Sequence, residues 1–180
     1  MVEKYARDMR VVHWARALVV LGVLALGVTM VNLPDDIATK YEGLYPNHKQ
    51  FGLLALLLTL LQLGLRQTRR VPEEPQALKA WERKLSSAVH HLLYVLLLVV
   101  PVMGYCMSSS FSQSDGVPFF FFGKLPELLA KNDAAFEVFR LLHRVLAYTL
   151  LALVALHIAG ALKHRLIDKD PEADVLKRML

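Results

Sequence analysis

A chain of 180 residues that is 55% hydrophobic and carries a net charge of +5 is too apolar for a soluble domain of its size, so the bilayer is its expected solvent. Its basic residues gather at the N-terminus, between Arg66 and Lys84, and after Leu162, while the hydrophobic runs are nearly bare; with no basic and aromatic residues interleaved on a soluble stretch, nucleic acid is excluded as a partner. The single Cys106 excludes an internal disulfide.

A spanning helix needs about 20 mostly apolar residues to cross a hydrocarbon core of roughly 30 Å. The first such stretch, Val11 to Val31, follows Lys4, Arg7 and Arg10 and shows no small-residue cleavage pattern before Pro34, so it reads as a retained helix. It carries His13 and Arg16 near its start. The connection Asn32 to Asn47 sets Lys40 against Asp35, Asp36 and Glu42. The second span, His48 to Leu65, is short and is expected to reach back to Tyr45 or on into Arg66.

The connection from Arg66 to Lys84 is strongly basic. The third span, Ala88 to Met107, opens on His90 and His91 and contains Pro101, whose freed carbonyl neighbouring helices can satisfy. The connection Ser108 to Arg140 holds Phe119 to Phe122, too apolar for a free loop, and is expected to lie against the outer membrane interface or to cap the bundle. The fourth span, Leu141 to Leu162, bears His143 and His157 and is followed by His164 and a basic tail. The expectation is an all-α fold: one domain, 1–180, forming a transmembrane four-helix bundle. The excess of Lys and Arg places the second connection and both termini on the cytoplasmic side.

Polar groups inside a span are costly and mark functional paths. His143 and His157 are fourteen residues apart, which on a helix is about 21 Å along the axis and within roughly 40° of one face. Each has a partner at its own depth: His13 near the cytoplasmic start of the first helix matches His157, and His48 at the outer start of the second matches His143. Two imidazoles approaching one iron from opposite sides are what a haem b requires, so the pairs predict two stacked haems. No Cys-x-x-Cys-His stretch exists for covalent attachment.

His90 has three open roles: replacing His13 or His157 as a ligand, meeting a propionate, or lining a quinone site. His91 reads as interfacial. Arg16, within a turn of His13, is placed to neutralise a propionate; Arg140 and Arg144, flanking His143, suit either a propionate or headgroup anchoring. His164 lies seven residues beyond His157 and suits either a proton-coupled site or a snorkelling basic residue.

These residues resemble the bacterial cytochrome b561 proteins, relatives of the cytochrome b subunits of hydrogenases and formate dehydrogenases. The resemblance rests on Lys4-Tyr5-Ala6-Arg7 leading to Val12-His13-Trp14, His90 through Tyr94 followed by Pro101 and Gly104, the Phe122-Gly123 and Pro126 loop, and the fourth-helix histidines. It implies a di-haem b oxidoreductase of the bacterial inner membrane, similar to the type that oxidises superoxide at the outer face and reduces ubiquinone on the cytoplasmic side. It also implies His13, His48, His143 and His157 as axial ligands, with His164 and Lys79 beside the quinone. Two positions depart from the family's pattern: Arg144 stands where an acidic residue often follows the outer ligand, and Gln62 where a basic residue is common. An electron-relay subunit for a partner dehydrogenase or hydrogenase would share these helices. A histidine-based proton or metal transporter is disfavoured, because zinc needs its ligands at one point and these lie at two depths.

Overall fold

In hydrocarbon every backbone polar group must be satisfied within its own segment or a closed barrel, and all four apolar stretches satisfy theirs as helices. A computed structural model describes residues 3–180. Helix α1 spans Arg7–Asn32, α2 Tyr45–Thr68, α3 Ala80–Ser110 and α4 Asp133–Leu166. Each is long and apolar enough to cross a membrane. With four crossings, both termini lie at one end of the bundle, called here the base; the opposite end is the top.

The helices run beyond the apolar stretches at both ends, most on α4, which begins at Asp133 where Leu141 was expected. Hydropathy stops at the first charges, whereas a helix continues into the aqueous zone as long as its ends are capped. Asn132 supplies the cap, its side chain accepting from the Ala135 N–H at 3.0 Å. At the start of α3, Glu82 accepts from the Lys79 backbone N–H at 2.9 Å. Before α2, a π-helical turn over Lys40–Leu44 leads the chain in, which extends the short second span backwards.

Neighbours in sequence are neighbours in space: α1 lies along α2, α2 against α3 and α3 along α4, while the backbone of α4 keeps farther from those of α1 and α2 and meets them through side chains. At the top, Val117–Pro118 (β1) pairs antiparallel with Lys124–Leu125 (β2). Between these strands the phenylalanine run folds back on α2: the Phe120 N–H donates to Gln50 Oε1 at 3.0 Å and its ring meets Phe51 at 5.3 Å, leaving Phe121 89% exposed. The loop thus both covers the bundle and faces outwards.

Candidate functional site

Seven residues of helix advance about 10.5 Å and return within roughly 20° to the same face. Taken in such steps from base to top, α1 presents His13, Val20 and Gly27; α2, running the other way, Gln62, Ala55 and His48; α3 His90, Leu97 and Gly104; and α4 His157, Leu150 and His143. Val20, Ala55, Leu97 and Leu150 are buried together in the core cluster. An apolar middle layer therefore separates two layers that hold the histidines.

At the top, the rings of His48 and His143 have centroids 6.0 Å apart with planes at 85°. At the base, those of His13 and His157 are 6.4 Å apart with planes at 65°. A metal–imidazole bond of about 2.0 Å, with the ring centre roughly 1.1 Å beyond the nitrogen, sets two rings facing each other across one metal about 6.2 Å apart, at any twist between their planes. Both pairs stand at this separation. His90 and His157, at 5.0 Å and 85°, are too close to admit an iron between them.

The top pair is oriented by main chain. His48 Nδ1 lies 3.1 Å from the Val23 carbonyl and His143 Nδ1 3.0 Å from that of Val100. A carbonyl only accepts, so each Nδ1 carries the proton and each Nε2 keeps its lone pair for a metal. Glycine makes this approach possible. A β-carbon at Gly27 would stand 3.2 Å from His48 Cε1, and one at Gly104 would stand 3.0 Å from His143 Cε1 and Nδ1.

The base layer is polar instead. Arg16 is buried, its guanidinium 5.2 Å over the Tyr94 ring, and its Nη1 has no hydrogen-bond partner among the described residues. Such a buried donor suits an anionic group. His90 Nδ1 meets its own helix at the Ser86 carbonyl, 2.6 Å away, and the exposed His91 does likewise at Ser87, 2.7 Å away. Beyond this layer, Lys163 Nζ bridges Glu82 at 2.5 Å and Asp168 at 2.9 Å, and His164 Nδ1 lies 2.6 Å from Asp168 Oδ2. The bonds from His164 and then Lys163 hold the Asp168 carboxyl below the usual carboxylate range. Glu82, His164 and Asp168 together offer three donor atoms within 4.8 Å, but the Lys163 ammonium already bonds both carboxylates and offsets one of their two negative charges. Lys79, exposed, precedes Glu82 by a turn.

The C-terminal residues fold back over this end. The Tyr5 N–H donates to the Arg178 carbonyl at 3.1 Å, Trp14 Nε1 to that of Met179 at 2.7 Å, and Arg178 Nη1 to that of Glu73 at 2.5 Å. At the top, Arg140 pairs with Glu137 at 2.5 Å and Arg144 is exposed alongside.

The sequence pattern of the family described as prokaryotic cytochrome b561 matches residues 4–180. The chain belongs to that family. Cytochrome b561 homolog 2 of Escherichia coli (strain K12) is 33% identical over 184 residues, covering 99% of this chain and 92% of that protein. Cytochrome b562 of Cereibacter sphaeroides is 32% identical over 171 residues, 92% of this chain and 90% of its own. Cytochrome b561 homolog 1 of Escherichia coli (strain K12) is 24% identical over 179 residues, 99% and 98% of the two chains. This cytochrome b561 is a multi-pass bacterial membrane protein that binds two haems b and transfers electrons to or from quinone or other redox partners.

The side chains of this cytochrome b561 fit two haems. Two imidazole pairs stand at iron-spanning separation, glycine cradles pack against both top rings, and an orphaned buried guanidinium lies beside the base pair. Three features carried little signal in sequence: the cradling role of Gly27 and Gly104, the carbonyls of Val23 and Val100, and the Asp168 partner of His164. The glycines do stand fourteen residues after His13 and His90, a spacing that could have flagged them.

Proposed function

We propose that this cytochrome moves electrons across the bacterial inner membrane from superoxide at the outer face to ubiquinone on the cytoplasmic side. In this reading residues 1–180 form one domain with both termini cytoplasmic, so the base faces the cytoplasm and the top faces outwards; the basic connection Arg66 to Lys84 and the basic tail support that orientation. The observation that carries the proposal is the matched separation of the two histidine pairs.

His13 and His157 would hold the base haem, and His48 and His143 the top one. Bound there, the two haems b supply one-electron carriage between the faces, their potentials tuned by ligand orientation and hydrogen bonding. Arg16, with its unpartnered Nη1, would neutralise a propionate of the base haem. Arg144, exposed beside the Arg140–Glu137 ion pair, gives the top rim a positive charge that draws an anionic donor. Each superoxide gives up one electron and leaves as dioxygen. Two such electrons and two cytoplasmic protons turn one quinone into quinol.

His164 is the group that hands over the proton. Its Nδ1 is fixed by Asp168, which turns the other nitrogen to the quinone, and Lys79 flanks the headgroup from the start of α3. The purified protein, supplied with superoxide and a water-soluble ubiquinone, should form quinol at a rate that His164→Ala slows while both haems remain. Absence of a dithionite-reducible b-type band would end the cytochrome reading. An intact band without superoxide-driven quinol formation, together with copurifying soluble subunits, would assign the chain as a relay for a partner dehydrogenase.

A further inference from the structure

We propose that the base haem ligands are held through their Nδ1–H groups by side chains, Gln62 for His13 and His90 for His157, where main-chain carbonyls hold the top pair. The inference rests on the ligand reading above and adds the groups that tune it.

Antiparallel packing defines which residues meet. Gly27 of α1 touches His48 of α2; fourteen residues back along α1 and fourteen onward along α2 lead to His13 and Gln62. Likewise Gly104 of α3 touches His143 of α4, and the same steps lead to His90 and His157, whose rings are in fact adjacent. Each ligand therefore has one companion position on the neighbouring helix. That position is glycine at the top and a polar side chain at the base.

The difference changes what can accept the Nδ1 proton. At the top the glycine lets the ring reach the carbonyl four residues earlier on the neighbouring helix, Val23 before Gly27 and Val100 before Gly104. At the base that route is closed. The corresponding carbonyl on α3, that of Ser86, is taken by His90 itself, and on α2 the position equivalent to Gly27 carries the Gln62 side chain instead of a glycine.

Both side chains offer an acceptor instead. Gln62 is 2% exposed and its Oε1 has no partner among the described residues, an orphan acceptor on the α2 position that the fourteen-residue step matches to His13. His90 donates from Nδ1 to Ser86, so its Nε2 is the accepting nitrogen. Two imidazoles joined by an N–H···N bond of about 2.9 Å have centres roughly 5.1 Å apart, and the His90–His157 separation is 5.0 Å.

An acceptor at Nδ1–H raises the basicity of the ligating nitrogen and so favours ferric iron. Spectroelectrochemical titration of the haem-loaded full chain reads this directly, with the component lost in His13→Ala marking the base haem. Gln62→Leu and His90→Leu should each raise the base potential by about a tenfold change in the reduction equilibrium, roughly 59 mV for one electron. Gln62→Glu, a stronger acceptor, should lower it, and the top haem should not move. If Gln62→Leu fails to retain the base haem, Gln62→Glu decides: a lowered potential supports the assignment and an unchanged one contradicts it. Unshifted base potentials in Gln62→Leu and His90→Leu would overturn the inference while leaving the ligands in place. A His13→Ala protein that keeps both low-spin haems would instead overturn the ligand reading.

Discussion

Gly104 lies so close under His143 that a β-carbon there would stand 3.0 Å from the ring's Cε1 and Nδ1. The absence of a side chain is what lets that imidazole seat against α3 and reach the Val100 carbonyl at 3.0 Å. Close helix approach at small residues is the usual basis of packing in a bilayer, where hydrophobic driving force between helices is absent. Here the same device orients a proposed haem ligand.

Gly104→Ala should therefore act on one haem only. The ring must shift by a few tenths of an ångström or more, and overpacking of this kind costs about 1–3 kcal/mol. The expected outcome is loss or weakened retention of the top haem with the base haem intact, read as haem per protein by the pyridine haemochrome assay. Gly27→Ala, where the clearance is 3.2 Å, should do the same more mildly. Full retention of two unaltered haems in Gly104→Ala would show that the cradle is not needed.

Arg16→Gln removes a buried positive charge beside the base pair. Without it the ferrous state, which carries one positive charge fewer than the ferric, loses electrostatic support. The base potential should fall by about a tenfold change in the reduction equilibrium, roughly 59 mV, with the top potential unchanged. Equal shifts at both haems would point to a general structural effect.

Asp168→Asn should keep both haems and slow quinol formation, because His164 loses the carboxylate that fixes its Nδ1. Added to His164→Ala it should cost nothing more, since the two act as a unit; additive losses would separate them. The pH dependence has a defined sign. The folded-state value of Asp168 lies below its ordinary 3.8, so its contribution to stability is fully present above that value and is lost as pH falls through the depressed one. The melting temperatures of wild type and Asp168→Asn should differ at neutral pH and converge in acid.

The spans and the histidine pairs were legible in sequence because both depend on period and charge: about 1.5 Å of rise per residue matches His157 to His13 in depth without any knowledge of packing. The glycine cradles were harder to read. A glycine in a membrane helix has meaning only once the neighbour that approaches it is known, and Gly27 and Gly104 meet residues from other helices. Asp168 lies just past α4, outside any hydropathy window, and the fold-back of Arg178 and Met179 onto Tyr5 and Trp14 rests on tertiary bonds. The role of His90 was open between ligation and contact because helix phase gives its direction, not its distance from His157. At 5.0 Å that distance leaves no room for an iron.

In the proposed arrangement His13 with His157 and His48 with His143 hold separate haems across an apolar layer at Val20, Ala55, Leu97 and Leu150. Haem content of the folded single variants reads this pairing residue by residue. His48→Ala and His143→Ala should each retain one low-spin haem, the base one, and His13→Ala and His157→Ala should each retain only the top one. A folded His48→Ala protein that has lost both haems, or kept both, would contradict the two-layer pairing.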